Sequence, residues 1–426
     1  LPPAAIALLV VLLLFDGCGS HAGNASSPKR PTAPPAPAPR GPAFGLTEDN
    51  ADLLWNPAHG SPSGGAAFAT AREQLTALHP SYVRLLVDWA ALQPEASTPP
   101  GLEAAVDGCA RAVAPCRAYR GIAEELAAIV SQQRAAQAEG RVDFQVVLDV
   151  FGVPDWAAHA PSGCEAPATQ PFSRAISPVG LAGYRALIRA LLALGAREGV
   201  QLSWWSPWNE PNNPQFLSPQ RGVCAADSPT LAPGAYAQLA QTMAAELKAA
   251  GGTHHLLLGE LAAYPTDSAH RTSITSFVAA LPASTVCLSN VWSIHSYARF
   301  GTRRAIAQPV AALTRALDAR GACGRSASVW ITEAGAGATH PGHARTSSPD
   351  EQREGCRALA RQLLGWSCDA HVGAIFQYSF REDPAFPVGL LSADLSHVYP
   401  AYALWLSYTR LRARGEALGS PAALCA

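Results

Sequence analysis

The feature that most constrains this chain is an alternation. Short runs rich in β-branched and aromatic residues recur along it, and a longer Ala/Leu/Arg stretch separates each run from the next. The runs lie near Phe44–Leu46, Tyr82–Val87, Asp143–Val150, Ser203–Pro207, Leu256–Gly259, Val291–His295, Ser328–Thr332 and Ala374–Tyr378. The stretches between them read as helices, most clearly Ala69–Leu78, Ile122–Glu139, Gly180–Glu198, Pro233–Ala250, Ile306–Arg320 and Pro349–Leu364, with a last one ending near Arg414. In Gly180–Glu198, the residues Leu181, Tyr184, Leu187, Ile188, Leu191 and Leu192 fall on one stripe at helical spacing. Strands that alternate with helices lie parallel, because a parallel pair needs a long crossover connection. Eight such units suggest a sheet closed on itself, a (β/α)8 TIM barrel spanning residues 44–414 as one domain, with a short tail at 415–426.

What precedes residue 44 is different in kind. Ala4 to Phe15 is an unbroken apolar run, too short for a comfortable membrane span and suited to the core of a signal peptide. Cys18 follows it, in a setting loosely like a lipoprotein cleavage site, so residues 1–18 are expected to be an export signal with either simple secretion or a lipid anchor on Cys18. Residues 19–43 contain PTAPPAPAPRGP, an extended Pro/Ala linker. Ten cysteines behind an export-like start suggest an oxidising compartment, and none forms a C-x-x-C pair. Plausible bridges are Cys109–Cys116, Cys164–Cys224, Cys287–Cys323 and Cys356–Cys368, although sequence alone does not fix connectivity.

The net charge is −1, with charged residues at 15%. That leaves no basic footprint for nucleic acid. The chain has no H-E-x-x-H, no phosphate-cradling glycine loop opening a helix and no G-x-S-x-G elbow, so metalloprotease, nucleotide-dependent and serine-hydrolase chemistry fit poorly. No metal or cofactor is expected, and a monomer is.

In a parallel barrel the active site lies at the carboxyl ends of the strands. The fourth run ends Trp204-Trp205-Ser206-Pro207-Trp208-Asn209-Glu210-Pro211-Asn212. A carboxyl desolvated beside tryptophan keeps its proton to higher pH, as a general acid requires. Asn209 offers a donor and an acceptor to a sugar hydroxyl. The seventh run, Val329-Trp330-Ile331-Thr332-Glu333-Ala334-Gly335, also closes on a glutamate. Two strand-end glutamates three strands apart face one another across a barrel mouth. At about 5–5.5 Å such a pair gives retention through a covalent glycosyl-enzyme, and at about 6.5–9.5 Å it gives inversion.

WNEPN at the fourth strand and WITEAG at the seventh resemble the clan A retaining glycoside hydrolases, near their xylosidase and glucanase branch. The resemblance implies a (β/α)8 barrel that cleaves O-glycosidic bonds of a carbohydrate substrate, with Glu210 as acid/base and Glu333 as nucleophile. It also implies a substrate-side role for Arg84 beside the nucleophile, for Trp89 after the second strand, for Trp156 in Gly152-Val153-Pro154-Asp155-Trp156, and for His295 and Tyr297 closing the sixth strand. The eighth strand departs from the pattern, since many clan members end it with tryptophan. Here Gln377 and Tyr378 stand there, with Phe380 and Arg381 beyond, so Tyr378 or Phe380 is expected to supply the platform under the sugar, or Gln377 and Arg381 to replace stacking with polar contacts. Glu260, after the fifth strand, reads either as a binding residue or as part of a structural ion pair. A carbohydrate-binding barrel without turnover, and a cell-wall transglycosylase using the same glutamates, remain the alternatives.

Overall fold

The structure, a computed structural model, describes residues 41–50, 66–116, 118–140, 145–166, 168–297, 302–336 and 348–416, with 418 and 425. The export signal, Cys18 and most of the linker lie outside the described residues.

Each expected run forms a strand. The first is Ala43–Thr47, the second Tyr82–Asp88, the third Gln145–Phe151 and the fourth Trp204–Ser206. The fifth comes in two pieces, His255–Leu256 and Leu258–Ala262, followed by Val291–His295, Ser328–Ala334 and Val372–Tyr378 as sixth, seventh and eighth. All pair in parallel, in one sheet whose two edges are the two pieces of the fifth strand. Only Leu257 separates those edges, so the chain itself closes the circle. Helices Ala66–Ala77, Gly121–Ala138, Pro178–Glu198, Ala232–Ala250, Ile274–Ala280, Arg303–Asp318, Pro349–Ser367 and Pro400–Ala413 follow the strands in order. Ile274–Ala280, with seven residues, is too short to show a periodic stripe in sequence.

The barrel interior is built in layers by the two-residue period of the strands. At the floor, the rings of Tyr82, Trp204, Trp330 and Phe376 meet, with Tyr82–Trp330 and Trp204–Trp330 centroids both 4.5 Å apart. Val147, Leu257, Val291 and Ala374 complete this plug. Two residues further along four of these strands the layer turns polar: Arg84, Asp149, Ser206 and Thr332 are all fully buried. Gly45 belongs to the floor because nothing larger fits. A Cβ there would sit 2.4 Å from the Phe376 ring.

Disulfides join Cys109–Cys116, Cys164–Cys224 and Cys287–Cys323 as expected. The fourth expectation is corrected: Cys356 bonds Cys425, and Cys368 is disulfide-bonded elsewhere. Cys356 lies inside the helix Pro349–Ser367 and Cys368 caps its end. Twelve helical residues put them ~18 Å apart, far beyond the reach of one disulfide.

Gly45→Val should overpack the floor and cost at least ~2 kcal/mol of stability. Urea unfolding followed by circular dichroism would measure the loss, and an unchanged midpoint would contradict a filled floor.

Candidate active site

Arg84 rises from the second strand directly above Tyr82 and is completely buried. Its guanidinium is shared among anions: NH2 donates to Asp149 Oδ2 at 2.8 Å, NH1 to Glu333 Oε1 at 3.0 Å, and Nε to Glu260 Oε1 at 3.3 Å. NH2 also reaches Asn209 Oδ1 at 3.0 Å. Burial works against the charge on Arg84, but the three carboxylates outweigh it and hold the side chain cationic.

Glu333 leaves the seventh strand where the pairing with its neighbours shifts register. Its second oxygen accepts from the Tyr297 hydroxyl at 2.7 Å. Glu210 stands beyond the end of the fourth strand with a left-handed backbone, φ 38°, a costly state for a residue with a side chain. Asn213 holds that turn from both sides. Its N–H donates to the Glu210 carbonyl at 2.9 Å, and its side-chain amide donates to Glu210 Oε2 at 2.6 Å.

His295 joins the two glutamates. Its Nδ1 lies 2.9 Å from Glu210 Oε1 and 3.3 Å from Glu333 Oε2, and its Nε2 lies 2.8 Å from Glu260 Oε2. Burial opposes a charge on His295, but the surrounding carboxylates of Glu333, Glu210 and Glu260 lift it to about 10. Both ring nitrogens therefore donate. Burial also disfavours the charge on Glu260, yet Arg84, His295 and the Thr332 hydroxyl hold it well below the ordinary carboxylate range. Of the two readings open for Glu260, the structure fits the buried ion pair. A carboxylate oxygen of Glu210, a ring nitrogen of His295 and a carboxylate oxygen of Glu333 lie within 4.8 Å of one another. Three such atoms could hold a cation in principle, but an imidazolium that donates from both nitrogens has no lone pair to offer. A second cluster, Cys164, Cys224 and His270, has its sulfurs joined in a disulfide.

The structure thus brings together Arg84, Asn209, Glu210, His295, Tyr297 and Glu333, and adds Tyr378, whose ring meets Tyr297 edge-on at 6.3 Å. Two expected substrate contacts, Trp89 and Gln377, are corrected, while Trp156 is half-buried against the outer helices. Trp89 is fully buried and its Nε1 donates to Gln93 Oε1 at 2.9 Å. Trp156 packs edge-on against Trp89 and closely over Gly183 of the Pro178–Glu198 helix. Gln377 sits one residue out of phase with Phe376 and Tyr378, so it points out of the barrel, where Trp405 Nε1 donates to it at 2.7 Å. The tryptophans before Glu210 do not line its surroundings either. Trp204 lies in the floor, while Trp205 and Trp208 are buried in the outer core. Arg381 is an anchor, donating to the carbonyls of Ala393, Val113 and Pro115.

Four participants went unread in the sequence. Asp149 and Thr332 lie two residues above floor positions, so strand phase would have found them. Asn213 follows Glu210 by three residues in a run of polar side chains. Asp49 lies past the end of the first strand, where no period points to it.

No family model matches the sequence, and no curated protein does. Solved structures match over most of the chain. A GH5_18 variant from Streptomyces cattleya, in complex with Manβ1-4GlcNAc, aligns over 87% of this chain and 80% of its own, with a TM-score of 0.53 and 16% identity. A GH39 β-xylosidase from Caulobacter crescentus aligns over 88% and 72%, with a TM-score of 0.51 and 16% identity. An endo-β-1,4-glucanase from Xanthomonas axonopodis aligns over 88% and 98%, at 0.50 and 16%. The chain has the (β/α)8 barrel fold that these glycoside hydrolases share. At these identities the likeness is one of architecture, and it agrees with the (β/α)8 barrel read from the strand pattern.

The buried charges set a pH dependence. Burial pushes Glu48 up to about 7, Glu125 up to about 8 and Asp49 up to about 6. Each binds its proton more tightly in the folded chain than in the unfolded one, where carboxyls titrate near ~4. Stability contributed by these protons is complete below the unfolded value and is lost as pH climbs through the raised ones. His295 adds the same sign between its ordinary value of about 6.5 and about 10. Thermal unfolding should therefore move to lower temperature, by several degrees, from about pH 5.5 to about pH 9. A midpoint that rises over that interval would show that the buried carboxyls are ionised at little cost.

Proposed function

We propose that this protein is a retaining glycoside hydrolase. The observation that carries the reading is the meeting of Glu210 and Glu333 at His295, with near oxygens inside 4.8 Å. Inverting enzymes hold their carboxyls about 6.5–9.5 Å apart to admit a water, and retaining ones about 5–5.5 Å. The crystallised enzymes of the same fold, one holding Manβ1-4GlcNAc, support a carbohydrate substrate.

Glu333 is the nucleophile. Its carboxylate attacks the anomeric carbon while the bond to the leaving oxygen breaks and Glu210 gives that oxygen its proton. Glu210, now a carboxylate, then takes a proton from water as the water oxygen displaces Glu333. Arg84 and Tyr297 donate to opposite oxygens of Glu333, which aims it before attack. His295 donates from Nδ1 to Glu210 and lies 3.3 Å from Glu333, so its charge stands between the two. Asn213 holds the Glu210 side chain at its far oxygen. The four disulfides among the described residues fit an exported enzyme. Secretion, with or without a lipid on Cys18, is part of the same proposal.

Two variants test it. Glu333→Gly should lower kcat on an aryl glycoside by at least ~10³-fold, and azide should restore turnover by forming a glycosyl azide of inverted configuration. Glu210→Ala should spare substrates with a good leaving group and yield, with azide, a glycosyl azide of retained configuration. Near-native turnover by Glu333→Gln would remove the nucleophile and the reading with it.

A further inference from the structure

Resting on the glycosidase reading, we infer that Asp49 grips neighbouring hydroxyls of the sugar that Glu333 takes up, so that the enzyme acts on a ring whose distal hydroxyls are free.

The placement of Asp49 is built with unusual care for a residue beyond the end of a strand. Thr47, the last residue of the first strand, donates its hydroxyl to the Thr332 carbonyl at 2.7 Å, which ties that strand end to the residue before Glu333. Both chain neighbours of Asp49 are then pinned. Glu48 Oε2 accepts from the backbone N–H groups of Phe380 and Arg381 at 2.8 and 3.0 Å, and its Oε1 accepts from the N–H and the side-chain amide of Asn50 at 2.8 and 2.6 Å. Glu48 and Asn50 are buried, whereas Asp49 between them is exposed. The turn therefore presents one exposed side chain beside Tyr378 at the end of the eighth strand.

That side chain is a carboxylate with half its valence uncommitted. Tyr378 donates its hydroxyl to Oδ2 at 3.0 Å, and no donor to Oδ1 is found among the described residues. Asp49 is open at its face, yet enough protein surrounds it that desolvation raises its carboxyl to about 6, with Asp383 and Glu333 adding repulsion. Asp383 itself is matched by Arg111 at 2.9 Å. The Arg84 charge draws the Asp49 carboxyl back down only in part, and donors that arrive with a ligand can satisfy the rest. Two adjacent sugar hydroxyls are suited to the task, since a carboxylate accepts side by side.

Barrel order says which sugar. Glu210, just past the fourth strand, protonates the leaving oxygen, so the leaving group lies toward the fourth and fifth strands, where Tyr264 carries Arg271 over its ring at 4.9 Å. The ring that Glu333 captures lies on the other side, over the seventh, eighth and first strands. Asp49 and Tyr378 stand there, and Tyr378 meets Tyr297, which holds Glu333. A carboxylate gripping the distal hydroxyls of that ring leaves them no room to carry a further sugar.

The experiment uses the wild-type chain, Asp49→Asn, Asp49→Ala and Tyr378→Phe. A panel of 4-nitrophenyl glycosides identifies the best wild-type substrate, and its monodeoxy analogues at each ring hydroxyl then serve as probes. Asp49→Asn and Asp49→Ala are expected to lose about 10- to 100-fold in kcat/KM. Wild type should lose a similar factor when one distal hydroxyl is removed, and Asp49→Ala should lose almost nothing more, because the two changes delete the same contact. Tyr378→Phe, which leaves the carboxylate in place, should lose less than about 10-fold. Equal losses on parent and deoxy substrates in Asp49→Ala would mean a structural role and overturn the inference, as would wild-type kinetics in that variant. A strong preference for amino-sugar glycosides that Asp49→Asn abolishes would also overturn it, in favour of an ammonium ligand. Wild type cleaving no glycoside at all would sink the glycosidase reading first and this one with it. Melting curves of the Asn variant, which keeps the side chain's shape, separate unfolding from lost recognition.

Discussion

The site depends on one buried guanidinium. Arg84 sits where no water reaches, and three carboxylates from the third, fifth and seventh strands converge on it. Taking such charges out of water costs several kcal/mol for each ion, and only close mutual pairing recovers it. Four of the eight strands are therefore obliged to keep their register at this level, because a slip of one residue would strand an unpaired charge in the core. Stability is served as well by packed hydrocarbon. What the ionic centre supplies is a fixed position for Glu333.

The layer beneath explains why this network can exist. Tyr82, Trp204, Trp330 and Phe376 fill the barrel floor so fully that Gly45 has no room for a side chain. Apolar rings below lower the local dielectric and strengthen each ion pair above. His295 then links this centre to the mouth, touching Glu260 on its buried side and both candidate catalytic glutamates on the other.

Much of this was legible in the sequence, and the limits of legibility have a physical pattern. The strands announced themselves as short β-rich runs, and the strand-end glutamates as single charges closing apolar segments. Arg84, His295 and Tyr297 were found through resemblance. The misreadings share one cause, the direction of a side chain. Trp89 and Gln377 stand at strand ends, as expected, yet face the helices, and a shift of one residue decides between substrate and core. Cys356 and Cys368 were paired by nearness in sequence, although the helix that contains Cys356 keeps them apart. Asp49 was invisible because loops have no period, and only the bonds of Glu48 reveal that its turn is fixed.

The sealed floor also governs traffic. Four aromatic rings stopper the barrel floor, so a ligand of the proposed site would enter and leave past the rim above it. In the proposed cycle the departing alcohol would clear that rim before water reached the captured sugar, and the freed sugar would follow before the next substrate docked. Passage through the rim, as much as bond-breaking, can therefore set the pace of the cycle.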